Sequence, residues 1–80
     1  MSLKLRIISP EKILFIGDLE SVIVPGLMCE FQILVNHSPI ISCLEAGRVV
    51  YDDAQGRHQL NIASGFVEVK NNNVSLCVEL

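Results

Sequence analysis

The sequence predicts an all-β chain, a flattened β-sandwich or barrel of eight to ten short strands in two sheets. Three observations carry this. Isoleucine and valine together number 18 against 3 alanines, and β-branched side chains lose χ1 freedom in a helix but pack well on a pleated sheet. Apolar and polar residues alternate with a period of two, the side-chain repeat of a strand. Turn-forming residues recur at short intervals, and no window of useful length places apolar residues at i, i+3, i+4 and i+7.

Leu3, Leu5 and Ile7 form one face of a first strand, with Lys4 and Arg6 opposite, and Ser9-Pro10 ends it. Gly17-Asp18 is expected to end the second strand and Pro25-Gly26 the third. There Pro presets φ at turn position i+1, and Gly accepts the positive φ of a type II turn at i+2. Asn36-His37-Ser38-Pro39 breaks the chain again, and Ala46-Gly47 makes a corner. Asp52-Asp53-Ala54-Gln55-Gly56 should close a hairpin between strands around Val50 and Leu60. Asn71-Asn72-Asn73 should close another, since Asn tolerates the left-handed region. In the last strand Val74, Leu76, Val78 and Leu80 share one face, with Ser75, Cys77 and Glu79 on the other. No repeat, low-complexity segment or linker interrupts the pattern, so residues 1–80 read as a single domain.

Eighty residues hold one hydrophobic core and bury roughly 60% of the potential surface. Half the chain is apolar and 19% charged, so some apolar material is expected to stay on the surface for a partner to cover. The apolar runs, such as Ile13-Leu14-Phe15-Ile16 and Ile33-Leu34-Val35, fall far short of the roughly 20 residues of a membrane span. Lys4 and Arg6 interrupt the amino-terminal apolar residues, so no signal-peptide core is read there. Six basic residues, scattered among nine acidic ones, lack the clustering that a phosphate-binding surface needs, and nucleic acid is not an expected partner. Cys29, Cys43 and Cys77 cannot all pair within the chain. Their apolar surroundings suggest a reducing cytosol and three buried or interface thiols.

Catalytic and metal chemistry find little support. The cysteines lack short paired spacings, and His37 and His58 pair with nothing by sequence, so no metal site is expected. His37-Ser38 sets a base beside a nucleophile, but adjacent residues of an extended chain point to opposite sides and no third orienting group accompanies them. Asp52-Asp53 reads as a solvated turn, with Gly56 just beyond. The five glycines are isolated, so no loop cradles a phosphate and no cofactor is expected.

One stretch is more specific than composition. It runs Val24-Pro25-Gly26-Leu27-Met28-Cys29-Glu30-Phe31-Gln32-Ile33-Leu34-Val35-Asn36-His37-Ser38-Pro39-Ile40-Ile41 and continues through Leu44 and Gly47. Gly65-Phe66-Val67-Glu68-Val69, followed by Asn73-Val74, is a second such segment, and Ile8-Ser9-Pro10-Glu11-Lys12-Ile13-Leu14-Phe15 a third. In collinear order these resemble the epsilon subunits of rotary F-type ATP synthases, with a V-P-G turn, an acidic-apolar strand, an H-x-P-L/I-I segment and a G-F-L/V-E-V strand. The likeness covers almost the whole chain. Cys29, Gln32 and Asn36 stand where the family usually has glycine, and Ser64 replaces the first of a glycine pair. Asn36 suits its place, since Asn accepts positive φ.

The resemblance implies a non-catalytic central-stalk subunit that joins the gamma shaft to the c-ring during proton- or sodium-driven ATP synthesis. It implies a peripheral place at the cytoplasmic face of the bacterial inner membrane. Ending at Leu80, the sequence resembles a short form without the helical hairpin that serves autoinhibition or ATP sensing in other members. By position, Pro25, Gly26, Leu27, Met28, Glu30 and Gln32 match the end that faces the polar loops of the c-ring, with Glu30 as the complementary charge. Ser9, His37 and Ser42 match positions on or near the gamma-facing side. The alternative is a free-standing β-sandwich module for protein or ligand binding. The stalk reading predicts exposed apolar residues at one end and along one side, whereas the alternative predicts a concave, polar-lined site.

Overall fold

The alternation of the sequence is realised as nine strands, each with one face turned to a shared core. A computed structural model describes residues 2–80. The strands are β1 (Leu3–Ile8), β2 (Ile13–Leu19), β3 (Ser21–Pro25), β4 (Glu30–Leu34), β5 (Ile40–Leu44), β6 (Gly47–Asp53), β7 (Gly56–Ile62), β8 (Ser64–Lys70) and β9 (Asn73–Glu79). They form a five-stranded sheet in the order β2-β1-β9-β8-β5 and a four-stranded sheet in the order β4-β3-β6-β7. Every pairing is antiparallel except that of β1 with β9.

The core is drawn from alternate positions of both sheets. Leu3, Leu5 and Ile7 of β1 meet Val74, Leu76 and Val78 of β9 and Val67 and Val69 of β8 on the inner face. From the four-stranded sheet come Val22, Val24, Ile33, Val49 and Ile62. The register keeps these sets together: Leu5 lies beside Val74 and Ile7 beside Leu76 across the parallel pair. A slip of one residue would turn each set to the outside, so the buried face fixes the register.

The turns follow their residue chemistry with two exceptions. Asn71 and Asn72 close the β8–β9 hairpin with φ of 51° and 61°, the paired positive values of the turn that suits strand twist. Asn36 also has positive φ, 66°, as expected of an Asn replacing a glycine. Gly56 ends the β6–β7 hairpin at φ 123°.

Gly17-Asp18, by contrast, does not end β2. The strand runs on to Leu19, which is buried, and the chain reverses at Glu20. Gly17 stays in the ladder opposite Leu5. Nor is Pro25-Gly26 a type II turn, because Gly26 lacks the positive φ that such a turn requires. Gly26 is buried and bridges to Leu44 of the other sheet. A side chain there would meet the Cys29 carbonyl at 2.8 Å and the Phe31 ring at 3.0 Å. Close approach, and not backbone conformation, is what demands glycine.

Of the two places read for the cysteines, in the core or at an interface, the fold excludes the core. None of the three is buried: Cys29 and Cys43 are exposed and Cys77 is half-buried. Outward parity explains Cys43 and Cys77, whose strand neighbours Leu44, Leu76 and Val78 take the core positions. Leu80 is exposed as well, lying beyond the end of β9.

Gly65 sits where β8 passes between β5 and β9, opposite Leu44 and Val78. A Cβ there would collide with the Cys77 carbonyl and press on the Val78 backbone. Gly65→Ala is therefore expected to destabilise the fold by about 2–3 kcal/mol in urea denaturation, against less than about 0.5 kcal/mol for Ser64→Ala at the exposed neighbour.

Candidate interaction surfaces

With the inner faces committed to the core, the outer faces carry whatever the molecule offers to others. They differ sharply. Across the four-stranded sheet the outward positions include Glu30, Gln32, Arg48, Asp52, Arg57, Gln59 and Asn61, with Ile23, Leu34 and Val50 between them.

Across the five-stranded sheet an apolar row crosses all five strands. The register sets Cys43 beside Phe66, Phe66 beside Cys77, Cys77 beside Ile8 and Ile8 beside Ile13. The next row runs Ile41, Glu68, Ser75, Arg6, Ile16. Ile41 is 74% exposed, Ile16 65%, Ile13 57% and Phe66 45%. A register shift between Ile7 and Ile8 brings Ile13 to the end of the first row, the local bend that a β-bulge imposes. Ile8, Ser9, Pro10, Gly65, Phe66 and Cys77 line a shallow groove of about 440 Å³ on this face.

A second apolar group lies at one end. The Gly26–Leu44 bridge and the Leu44–Gly65, Gly65–Val78 and Cys77–Ile8 pairs gather the C-terminal ends of β3, β5, β9 and β1 there. Leu27, 60% exposed, and Met28, 96% exposed, project from the loop between β3 and β4, and Glu30 and Gln32 are exposed on β4. Pro25 and Gly26 are buried and shape this loop without offering surface. The Glu45 amide donates to the Pro25 carbonyl at 2.9 Å and ties the loop to the other sheet. Exposed large apolar residues thus gather along one side and at one end, with Leu34 standing apart.

Ser9, His37 and Ser42 border the five-stranded sheet without forming one cluster. Ser9 is at the Leu27-Met28 end, where its hydroxyl and amide both engage the Lys12 carbonyl. His37 is at the opposite end, its Nδ1–H donating to the Ser38 carbonyl at 2.7 Å. Ser42 lies midway along the edge strand β5, opposite Val67. The apolar row itself was not singled out from sequence. Its one signal is Phe66, an aromatic at an outward position between Ser64 and Glu68.

The β6–β7 hairpin holds the ordered charges. Arg57 Nε donates to Asp52 Oδ1 at 3.0 Å, and the Ser21 hydroxyl donates to Asp52 Oδ2 at 3.2 Å. His58 Nε2 donates to Asp53 Oδ1 at 3.0 Å, and the Gln55 amide to the same oxygen at 2.8 Å. The Arg57 guanidinium holds Asp52 below its ordinary pKa, and the Gln55 amide does the same for Asp53. Burial, helped by the Asp53 charge, pushes the Tyr51 phenol up. Tyr51 lies between His58, stacked at 5.2 Å, and Phe15 at 4.9 Å. These groups brace one another in a hairpin.

Residues 2–80 match the profile of the ATP synthase delta/epsilon chain β-sandwich domain. The chain belongs to this family. It is 40% identical over 77 residues to an ATP synthase epsilon chain of Leptospira interrogans (serovar Lai), covering 96% of this chain and 61% of that one. It is also 40% identical over 78 residues to the epsilon chain of Chlorobaculum tepidum, covering 94% of this chain and 86% of that one. The chain thus spans about three fifths of the length of the Leptospira relatives and most of the Chlorobaculum one. In the cryo-EM structure of the Euglena gracilis mitochondrial ATP synthase (OSCP/F1/c-ring), one chain shares the fold with a TM-score of 0.90 at 16% identity. That match covers 96% of this chain and 50% of the other.

Because both aspartates are held below their ordinary pKa, their contribution to stability is complete above the ordinary carboxylate range. It is lost as pH falls through the lowered folded values. Acid should therefore erode more stability from the wild type than from Asp52→Asn/Asp53→Asn between neutral pH and about pH 3, read by urea denaturation at each pH.

Proposed function

We propose that this chain is a non-catalytic central-stalk subunit of an F-type ATP synthase. Its role is to clamp the gamma shaft to the c-ring, so that proton- or sodium-driven rotation of the ring turns the shaft that drives ATP synthesis. In this reading residues 1–80 are one β-sandwich domain of a peripheral component at the cytoplasmic face of the bacterial inner membrane. The observation that carries the reading is the apolar row Cys43-Phe66-Cys77-Ile8-Ile13 across the outer face of the five-stranded sheet.

A part that transmits torque needs a rigid body and two places of attachment. Nine strands around one core supply the body. The outer face of the five-stranded sheet serves gamma, because burial of a broad apolar surface is non-directional and holds along the full length of a shaft. Ser9 and His37 lie at the two ends of that sheet, while Ser42, on its edge strand, shares the inward parity of Leu44 and Val67. The Leu27-Met28 end serves the ring: Leu27 and Met28 seat between its polar loops, while Glu30 and Gln32 meet them by charge and hydrogen bonding. Pro25 and Gly26 hold the loop at the angle that presents these four side chains. The polar outer face of the four-stranded sheet is left to water.

The test is native mass spectrometry after co-expression with the gamma subunit of the same organism. A one-to-one complex is expected. Phe66→Ser should weaken it by about 2 kcal/mol, the scale of a buried aromatic anchor, whereas Gln59→Ser should leave it within about 0.5 kcal/mol. No complex, or equal weakening by the two substitutions, contradicts the assignment.

A further inference from the structure

A surface built only to meet a different protein has no need to fit itself, and the outer face of the five-stranded sheet does so. Strand β9 is the middle strand of the five. In the first row Phe66 and Ile8 flank Cys77 at equal strand spacings, with Cys43 and Ile13 one strand further out. In the second row Glu68 and Arg6 flank Ser75, with Ile41 and Ile16 outside them. Opposite charges therefore stand at matching distances on either side of one strand. Both are exposed, and among the described residues neither belongs to an ion pair within the chain.

We propose that the free chain pairs with a second copy of itself through this face, about a two-fold axis that runs along β9 in the plane of contact. Such a rotation exchanges β8 with β1 and β5 with β2, giving an isologous interface. Phe66 then lies over Ile8 of the second copy, Cys43 over Ile13 and Ile41 over Ile16. Arg6 meets Glu68 twice, and Cys77 and Ser75 each face their own counterparts. Charge selects this axis. A two-fold axis across the strands through the Ser75 row would set Arg6 on Arg6 and Glu68 on Glu68. One through the Cys77 row would leave both charges without a partner. Along β9, the contact is bounded by like charges, Lys4 against Lys70 beside Asn73 at one end and Glu79 against itself at the other. Sheet twist of the kind that offsets packed sheets by about 30° separates the copies at those ends.

The pairing concerns the chain alone and does not rest on the stalk assignment, although one face cannot serve both partners at once. Sedimentation equilibrium should show a monomer–dimer equilibrium. Glu68→Lys and Arg6→Glu should each raise the dimer dissociation constant about tenfold or more, through like charges brought face to face. The double variant should return to within about threefold of the original, since the swap restores each cross-pair. A variant keeping only Cys77 (Cys29→Ser, Cys43→Ser) should be joined into a dimer by a short bismaleimide. One keeping only Cys43 should not, because its two copies stand four strand spacings, about 19 Å, apart along the sheet. A chain that stays monomeric at every concentration overturns the proposal. So do charge reversals that add instead of compensating, or linkage through Cys43 and not Cys77. A monomeric chain that still binds gamma overturns the pairing and leaves the stalk assignment standing.

Discussion

Every strand of this sandwich gives one face to a core that two sheets must share, and the rest of the molecule depends on that commitment. Eighty residues cannot furnish a second core. The alternate positions of all nine strands are therefore spent on the first, which holds Leu3, Leu5, Ile7, Val67, Val69, Val74, Leu76 and Val78 from one sheet. With so many apolar residues in the chain, the surplus has to go outward. The parallel pairing of β1 with β9 places the two ends of the chain at the centre of the larger sheet, and their outward residues Ile8 and Cys77 become the middle of its apolar row.

That arrangement separates adhesion from bracing. The ordered charges lie on the β6–β7 hairpin of the smaller sheet, where Asp52 and Asp53 are satisfied by Arg57, Ser21, His58 and Gln55. The larger sheet keeps Arg6 and Glu68 without a partner among the described residues and its apolar row open. The exposed loop with Leu27 and Met28 is held from beneath by Gly26, bridged to Leu44, and by the Glu45–Pro25 hydrogen bond. A loop anchored across both sheets presents its apolar tip with little loss of order on binding, which favours association.

Much of the fold was legible because its signals are local. The alternation of Leu3, Leu5 and Ile7 against Lys4 and Arg6 states both the strand and its buried face. The asparagines at 36, 71 and 72 state where φ turns positive. Gly17 misled because glycine marks either a break or a place without room, and only the fold decides, by pairing it with Leu5 and laying the Phe15 ring over it. Gly26 misled for a related reason, since the atoms that exclude a side chain belong to Cys29 and Phe31 in the folded loop. For the cysteines chemical preference left core and interface both open, and outward parity took Cys43 and Cys77 out of the core. Leu27 and Met28 were legible as surface because a Pro-Gly pair precedes them. The apolar row was not, because it is assembled from five strands whose order no single segment reveals.

The proposed contact of gamma with the outer face of the five-stranded sheet can be tested with a probe that the chain itself carries. Cys43 is exposed on that face, and Cys29 is exposed in the loop assigned to the ring. Their alkylation rates can be followed by mass spectrometry, with and without gamma, at a concentration where the free chain is monomeric. Gamma is expected to slow alkylation of Cys43 sharply and to leave Cys29 unchanged. Cys43 reacting at its free rate in a gamma complex that shields Cys29 would contradict the proposed contact.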